Sequence, residues 1–329
     1  MCAVLITGGA GYIGSHVNKM LNARGVETVV LDSLVTGHAD FLRWGRFVKG
    51  DLRDPSALER AFAGPRIHAV LHFASFIAVG ESVADPNKYY HNNVAATLNL
   101  LDAMVRHEVP GLVFSSSASV YGEPEQELLD EAHPMRPLSP YARSKAMVEQ
   151  MLADYHRAHG LASCRLRYFN AAGADPDGEL GERHEPETHL IPLVLHTALG
   201  LRSHISIFGT DYPTPDGTCV RDYIHVHDLA QAHVLALDWL DRGETRAFNL
   251  GNGNGHSVRE VVDAAREVTG RDIPVQEAAR RPGDSPVLVA SSKRARTELG
   301  WRPAHGDLES IIRSAWDWHR KDCRAPVRS

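Results

Sequence analysis

The chain has 329 residues, 43% of them hydrophobic, with a formal net charge of −6 and a pI near 6.3. That length and apolar content sustain a large core and about two domains. The acidic balance excludes a groove for a DNA or RNA backbone, which needs a basic excess, and four scattered cysteines, Cys2, Cys164, Cys219 and Cys323, lack the spacing of a disulfide framework or a zinc site.

Along the chain, short apolar runs alternate with longer amphipathic ones. Ala3–Thr7, Thr28–Asp32, Phe47–Lys49, Ala69–Ala74, Gly111–Ser115 and Ser163–Tyr168 read as buried strands. Tyr12–Arg24, Pro55–Phe62, Asn87–His107 and Pro140–His159 read as helices. The alternation predicts an α/β fold, a Rossmann-type doubly wound parallel sheet with helices on both faces. No basic leader precedes the first strand, and the most apolar stretch, Ala69 to Gly80, is too short and broken to span a bilayer. A soluble, cytoplasmic protein with no membrane partner is expected.

After Asn170 the pattern loosens into an α+β half. Residues 171–188 read as loop, followed by helices at Leu190–Leu199, Leu229–Leu240 and Val258–Val268 and strands at Ile205–Phe208 and Ala247–Leu250. The expected division is 1–170 for a cofactor domain and 171–329 for a smaller substrate domain, with some later segments returning to pack on the first. Two polar segments, 209–218 and 279–286, are candidate ligand loops. The basic tail Lys321–Ser329 reads as frayed.

The first strand runs into Gly8, Gly11 and Gly14 at the start of a helix. A side chain at that turn would keep the backbone away from a pyrophosphate, and the helix start offers free N–H groups to the phosphates. The second strand ends in Asp32, whose carboxylate can accept from both adenosine ribose hydroxyls and would repel a 2′-phosphate. Residues 33–37 supply no arginine, so NAD is favoured over NADP. Asp51-Leu52 and Phe73-Ala74-Ser75 follow the third and fourth strands, where they would flank the adenine and the middle of the dinucleotide.

Tyr141 and Lys145 are four residues apart and, on a helix, share a face about 6 Å apart along the axis. Ser139 suits the N-cap and Pro140 the first helical position. An ammonium beside a phenol favours the phenolate. Ser117 follows the fifth strand at the carboxyl edge of the sheet, where it can relay a proton or hold a substrate hydroxyl; serines there also cap turns.

These residues resemble the extended short-chain dehydrogenase/reductase family, in its branch of UDP-sugar 4-epimerases. The resemblance extends through His72-Phe73-Ala74, Tyr89-Tyr90-His91-Asn92-Asn93, Leu166-Arg167-Tyr168-Phe169-Asn170, the long run Asp211–Val226, and Arg280-Arg281-Pro282-Gly283-Asp284. It implies that Tyr12, Ile13, Asp32, Asp51, Leu52, Phe73, Ala74, Asn92, Ser117, Tyr141, Lys145 and Phe169 contact NAD. It implies that Asn170, Leu190, Phe208, Arg221, Tyr223, Arg281 and Asp284 line a UDP-sugar site. Two arginines suit a diphosphate, and Asp284 can accept from uridine ribose hydroxyls; surface ion pairing is the ordinary alternative for such arginines. Three positions depart from the family pattern: Ile77 where a lysine is frequent, His189 where an asparagine precedes the leucine that meets uracil, and Leu288 where sugar size is gated.

The activity implied is 4-epimerisation between UDP-galactose and UDP-glucose. The alternatives are the same reaction on N-acetylhexosamine or pentose UDP-sugars, a 4,6-dehydration, or a non-catalytic NAD sensor. Dehydration calls for a carboxylate pair near Ser117–Ser119, which the sequence lacks, and a sensor needs no proton shuttle. Pairing of the helices Asn87–His107 and Pro140–His159 between two copies makes a homodimer the expected assembly. Among nineteen histidines, His225 and His227 share a strand face, and His184 and His189 flank Glu185 and Glu187. Spacing fixes no third ligand, so no metal is expected.

Overall fold

Aliphatic and β-branched runs such as Val4-Leu5-Ile6 and Val29-Val30-Leu31 have no polar face. They are stable only as strands covered on both sides, which parallel pairing provides. The computed structural model of the chain describes residues 2–281 and 284–323. Pro282 and Gly283 of the 280–284 motif, and residues 324–329 of the basic tail, lie outside the described residues.

The first half runs β1 (Cys2–Thr7), α1 (Tyr12–Ala23), β2 (Thr28–Asp32), β3 (Arg46–Lys49), α2 (Pro55–Phe62), β4 (Arg66–His72), α3 (Val79–Ala84), α4 (Pro86–Tyr89), α5 (Ala96–Arg106), β5 (Gly111–Ser117), α6 (Pro140–His159) and β6 (Ala162–Tyr168). The second half runs β7 (Asn170–Ala172), α7 (Leu190–Ala198), β8 (Ile205–Phe208), β9 (Val220–His225), α8 (Val226–Leu240), β10 (Thr245–Leu250), β11 (Gly255–Ser257), α9 (Val258–Thr269), β12 (Val275–Ala278), β13 (Val287–Leu288) and α10 (Leu308–Asp322).

Seven parallel strands form the main sheet in the order β10-β6-β5-β4-β1-β2-β3. The chain winds outward in both directions from β1 and β4, so a crevice opens between their carboxyl ends. One apolar layer joins the sheet to α1 and α8 through Val17, Leu21, Leu229 and Trp239. The other joins it to α2, α5 and α6 through Leu58, Leu100 and Val148. β10 adds an edge strand to the main sheet from late in the chain, in register with β6 from Thr245↔Ser163 to Leu250↔Tyr168.

The smaller lobe has its own core from α7, α9 and α10, with Val194, Val261 and Ile312 buried together. Its strands are short: β9 pairs with β7, β11 and β13, and β12 pairs with β8. Because β7 follows β6 directly, the smaller lobe hangs from the carboxyl edge of the main sheet.

Four sequence expectations are corrected. The helix expected over Asn87–His107 is interrupted by a π-helical turn at Tyr90–Ala95 between α4 and α5. The fourth strand ends at His72, and Phe73 and Ala74 turn away to donate their N–H groups to Thr7 O at 2.9 and 3.1 Å. His225 closes β9 and caps α8, while His227 lies in the first turn of that helix, so the two do not share a strand face. Lys321 and Asp322 belong to α10, and Lys321 Nζ donates to Gly178 O at 2.8 Å.

Candidate active site

The glycine turn is shaped by what lies behind it. Gly8 has φ +76°, and a Cβ there would sit 2.6 Å from Ala74 N; a Cβ on Gly14 would sit 2.4 Å from Gly8 O. Any larger residue would push β4 away from β1 or fill the cradle at the head of α1. Gly11 caps α1 without a side-chain hydrogen bond, and no acidic residue stands in the first turn. The helix therefore presents free N–H groups and the positive end of its dipole to the crevice.

Asp32 faces the same crevice at the end of β2. Its Oδ2 accepts from Ala10 N at 3.0 Å and its Oδ1 from Leu34 N at 2.8 Å, and Leu34 adopts φ +60° to make the turn. Burial raises the Asp32 pKa, and the two backbone donors oppose that rise. Each oxygen keeps a lone pair for one ribose hydroxyl. Glycine cradle, uncapped helix start and oriented carboxylate together fit an adenine dinucleotide. Asp51 lies past β3, where Arg53 grips its carboxylate at 2.6 Å and lowers its pKa; Leu52 beside it is buried. Phe73 and Ala74 sit across from Gly8, with the Phe73 ring 4.8 Å from His233.

The catalytic candidates converge at the carboxyl end of β5. Ser139 Oγ caps α6 by accepting from Ala142 N at 3.2 Å, and Pro140 opens the first turn, so the helix start fixes Tyr141 and Lys145 on one face. Both side chains are buried. Lys145 Nζ donates to Ser115 O at 2.7 Å and stands 5.8 Å from the centre of the Tyr141 ring. Ser117 Oγ accepts from Ser119 N at 3.2 Å, so it caps a short turn as well as facing the phenol.

The electrostatics correct a simple expectation. Burial raises the Tyr141 pKa, and the hydrogen bond to Ser117 lowers it by less. Burial also pushes the Lys145 ammonium down to about 7. In the protein alone, desolvation favours the neutral form of each group, and the lysine does not by itself make a phenolate.

Residues that the sequence reading passed over hold this arrangement. Asn93, in the π-helical turn, accepts from Phe76 N at 2.9 Å and donates to Phe76 O at 3.0 Å and to Ser144 Oγ at 3.1 Å. It ties the loop after β4 to the catalytic helix. Asn92, expected to contact the cofactor, donates to Asn93 Oδ1 at 3.0 Å. Behind α6, Glu149 and Arg167 form a buried ion pair joined by Ser116 Oγ at 2.6 Å and by Tyr121 OH at 3.0 Å. A glutamate four residues after Lys145 on the same helix was the available signal.

The candidate substrate residues gather on the smaller lobe. Phe169, expected to contact the cofactor, follows β6 and leads into this lobe, where Asn170 Nδ2 donates to Asp222 O at 3.0 Å. Leu190 is the first residue of α7, and Phe208 ends β8. The Arg281 guanidinium stacks on the Phe208 ring at 3.8 Å. Arg221 donates to Val220 O and Ser285 O at 2.9 and 2.8 Å, and stands 3.4 Å from Asp284. Tyr223 is buried two residues further along β9. Asp222 between them accepts from the N–H groups of Asn252, Gly253 and Ala290 and locks β9 to the chain before β11 and after β13. Leu288 pairs with Arg221 across β13 and β9 and packs in one cluster with Tyr121 and Phe169, between the two lobes. Ile77 is half-exposed in the loop after β4.

Comparison with known proteins agrees with this geometry. Residues 4–251 match the model of the NAD dependent epimerase/dehydratase family. The chain is 52% identical over 319 residues to UDP-glucose 4-epimerase of Rhizobium leguminosarum bv. trifolii, covering 97% of both. It superposes with a TM-score of 0.94 and 49% identity on the crystal structure of UDP-glucose 4-epimerase from Brucella ovis in complex with NAD, covering 96% of this chain and 98% of that one. The enzyme from Bifidobacterium longum in complex with NAD+ and UDP superposes at a TM-score of 0.93 with 39% identity, covering 98% and 99%. On this match over most of its length, the chain belongs to the NAD-dependent epimerase/dehydratase family.

Proposed function

We propose that this chain interconverts UDP-galactose and UDP-glucose at C4, using a tightly held NAD that ends each turnover unchanged. The observation that carries the reading is the convergence of Ser117, Tyr141 and Lys145 opposite the glycine cradle, with two arginines on the facing lobe. Relatives that hold NAD and UDP support the choice of cofactor and nucleotide. When bound, NAD supplies the acceptor for a hydride from C4 and gives it back.

The residues of the chain do the rest. Tyr141 takes the proton of the sugar 4-hydroxyl, directly or through Ser117, leaving a 4-keto sugar when C4 is oxidised. Lys145 supports that step only while it keeps its proton: ammonium and phenolate attract one another, and their pairing offsets the desolvation that each suffers alone. Arg221 and Arg281 hold the diphosphate through charge-assisted hydrogen bonds, and Asp284 accepts from the uridine ribose. Leu190, Phe208 and Tyr223 close round the nucleotide. The hexose is held loosely, so it can turn and present its other face. Binding energy from the distant nucleotide thus keeps the reacting carbon in place through both half-reactions.

Domain limits of 1–170 and 171–329 follow the same division of labour, cofactor on one part and UDP on the other. A homodimer is proposed through the helices around α5 and α6, where Leu98 and Met147 expose apolar side chains. No helix among the described residues is long and apolar enough to cross a membrane. The free thiols of all four cysteines support a reducing, cytoplasmic compartment.

The test is direct. Purified protein is given UDP-galactose with no added NAD, and UDP-glucose is expected to form with no net reduction of cofactor. No product from a protein that still carries NAD would reject the enzyme and favour a sensor. Repeating the assay with the N-acetylated and pentose UDP-sugars reads the tolerance set around Leu288.

A further inference from the structure

Between β7 and α7 the chain runs through Glu182-Arg183-His184-Glu185-Pro186-Glu187-Thr188-His189. Its folding gathers four side chains that the spacing alone did not bring together. Glu182 is buried, with its carbonyl accepting from Trp318 Nε1 at 3.2 Å. His184 Nδ1 lies 3.2 Å from Glu182 Oε1 and 3.7 Å from Glu187 Oε2. His189 Nδ1 lies 3.9 Å from Glu187 Oε1 and hydrogen-bonds Glu182 Oε1. One ligand atom from each of the four falls within 4.8 Å of all the others.

We propose that Glu182, His184, Glu187 and His189 bind one divalent transition-metal cation, zinc by preference, in a structural site that nothing else in the molecule duplicates among the described residues. Zinc takes imidazole nitrogen at about 2.0–2.1 Å and carboxylate oxygen at about 2.0–2.2 Å in a tetrahedron, so its ligand atoms stand roughly 3.3–3.6 Å apart. Three spacings, 3.2, 3.7 and 3.9 Å, lie near that range, while His189 Nδ1, hydrogen-bonded to Glu182 Oε1, has to draw back to admit the ion. The carboxylates favour the protonated form of both histidines; once those protons leave, two carboxylates and two neutral imidazoles carry two negative charges, which one divalent cation balances. His184 Nδ1 lies between the Glu182 and Glu187 carboxylates, in line with a well-formed hydrogen bond to neither, as a ligand atom shared round one cation would.

The competing acidic cluster, Asp175, Asp177 and Glu179, already has its cation. Lys19 Nζ sits 2.7–2.8 Å from all three.

The position gives the metal a task. The His184 ring meets the edge of Tyr12 at 6.4 Å, and Tyr12 opens α1. His189 is the N-cap residue of α7, directly before Leu190. A cation here would pin the segment that runs from the cofactor helix to the first turn of the substrate helix.

The test uses the full chain with its bound dinucleotide, stripped with a chelator and then dialysed against zinc alone. About one equivalent of zinc per chain is expected to remain, with a melting midpoint raised by about 5 °C. Cobalt in place of zinc should give the visible absorption bands of a tetrahedral site. Glu182→Gln and His189→Ala should abolish the uptake, the bands and the thermal shift; His189 is half-exposed, so its variant is expected to fold. His305→Ala, which alters a separate histidine group beside His225 and His227, should change none of them. Absence of zinc from the wild-type chain, or uptake that survives both Glu182→Gln and His189→Ala, overturns the proposal.

Discussion

Tyr141 must lose a proton in a place that makes losing it costly. Burial raises its pKa, and the same burial drops Lys145 to about 7, so neither residue is charged by its surroundings. What favours the charged pair is each partner's charge on the other. Tyr141→Phe is expected to lower kcat by roughly 10²–10⁴ with an unchanged circular dichroism spectrum and retained dinucleotide, the range for loss of a positioned general base. Lys145→Met should move the rising limb of the pH–rate profile upward by about one unit or more; a profile that stays in place would remove the lysine from the proton step. Lys145 also has a stability consequence. Its folded pKa lies below the unfolded value, so between about 7 and 10.5 the unfolded chain holds the extra proton, and stability rises with pH across that window. On the substrate side, Arg281→Ala should weaken UDP binding by about 10–100-fold, from the loss of charge-assisted hydrogen bonds worth about 1.5–3 kcal/mol. Calorimetric titration with UDP reads that loss separately from turnover.

Elements were legible where their signals are local. Asp54 before Pro55 and Ser139 before Pro140 mark two helix starts, and both side chains accept from the first turn. Aliphatic runs marked the parallel strands because only a doubly covered sheet buries both faces. In the smaller lobe β8 was legible at Ile205–Phe208, but the strands around β9 were not. β7, β11 and β13 have two or three residues each and exist only because β9 lies beside them, with Asp222 fixing the chain around it. α10 is a different case: Asp307 caps it and Leu308, Ile311, Ile312, Ala315 and Trp316 mark one buried face, so the period was present to be read. The π-helical turn at Tyr90–Ala95 left no local mark, because it answers to Asn93 reaching Phe76 and Ser144 on other elements. α6 carries the catalytic pair on its first two turns and, on its third, Glu149, which pairs with Arg167 of β6. Glu149→Ala would leave Arg167 buried without its carboxylate, and a loss of about 3–5 kcal/mol in urea unfolding is expected. A loss under about 1 kcal/mol would show that the pair does not hold the helix.

Across the whole molecule, burial keeps several histidines neutral. His16, His72, His225 and His233 lie on both sides of the crevice, and burial is the first cause lowering them, to about 4, 3, 3 and 4. In the unfolded chain they take up protons near pH 6.5. The folded state therefore loses stability as pH falls from about 6.5 toward 4, by roughly 2 kcal/mol for each histidine at pH 5. Acid unfolding followed by circular dichroism should show a midpoint near pH 5, above the range in which carboxylates titrate; a fold intact at pH 4 would contradict it. Of the candidate site, the cofactor half was the more legible, since glycine turn, Asp32 and the Tyr141–Lys145 pair lie within single strand-turn-helix units. The UDP half joins Leu190, Phe208, Arg221 and the Arg281–Asp284 pair from four separate stretches, and family resemblance rather than spacing pointed to them.

The central claim is that the hydrogen on C4 leaves the sugar and returns to the same carbon within one binding event. UDP-galactose labelled with deuterium at C4, converted by the enzyme in ordinary water, tests it. The account predicts UDP-glucose that keeps the label at C4. Product with that deuterium replaced by solvent hydrogen would contradict it.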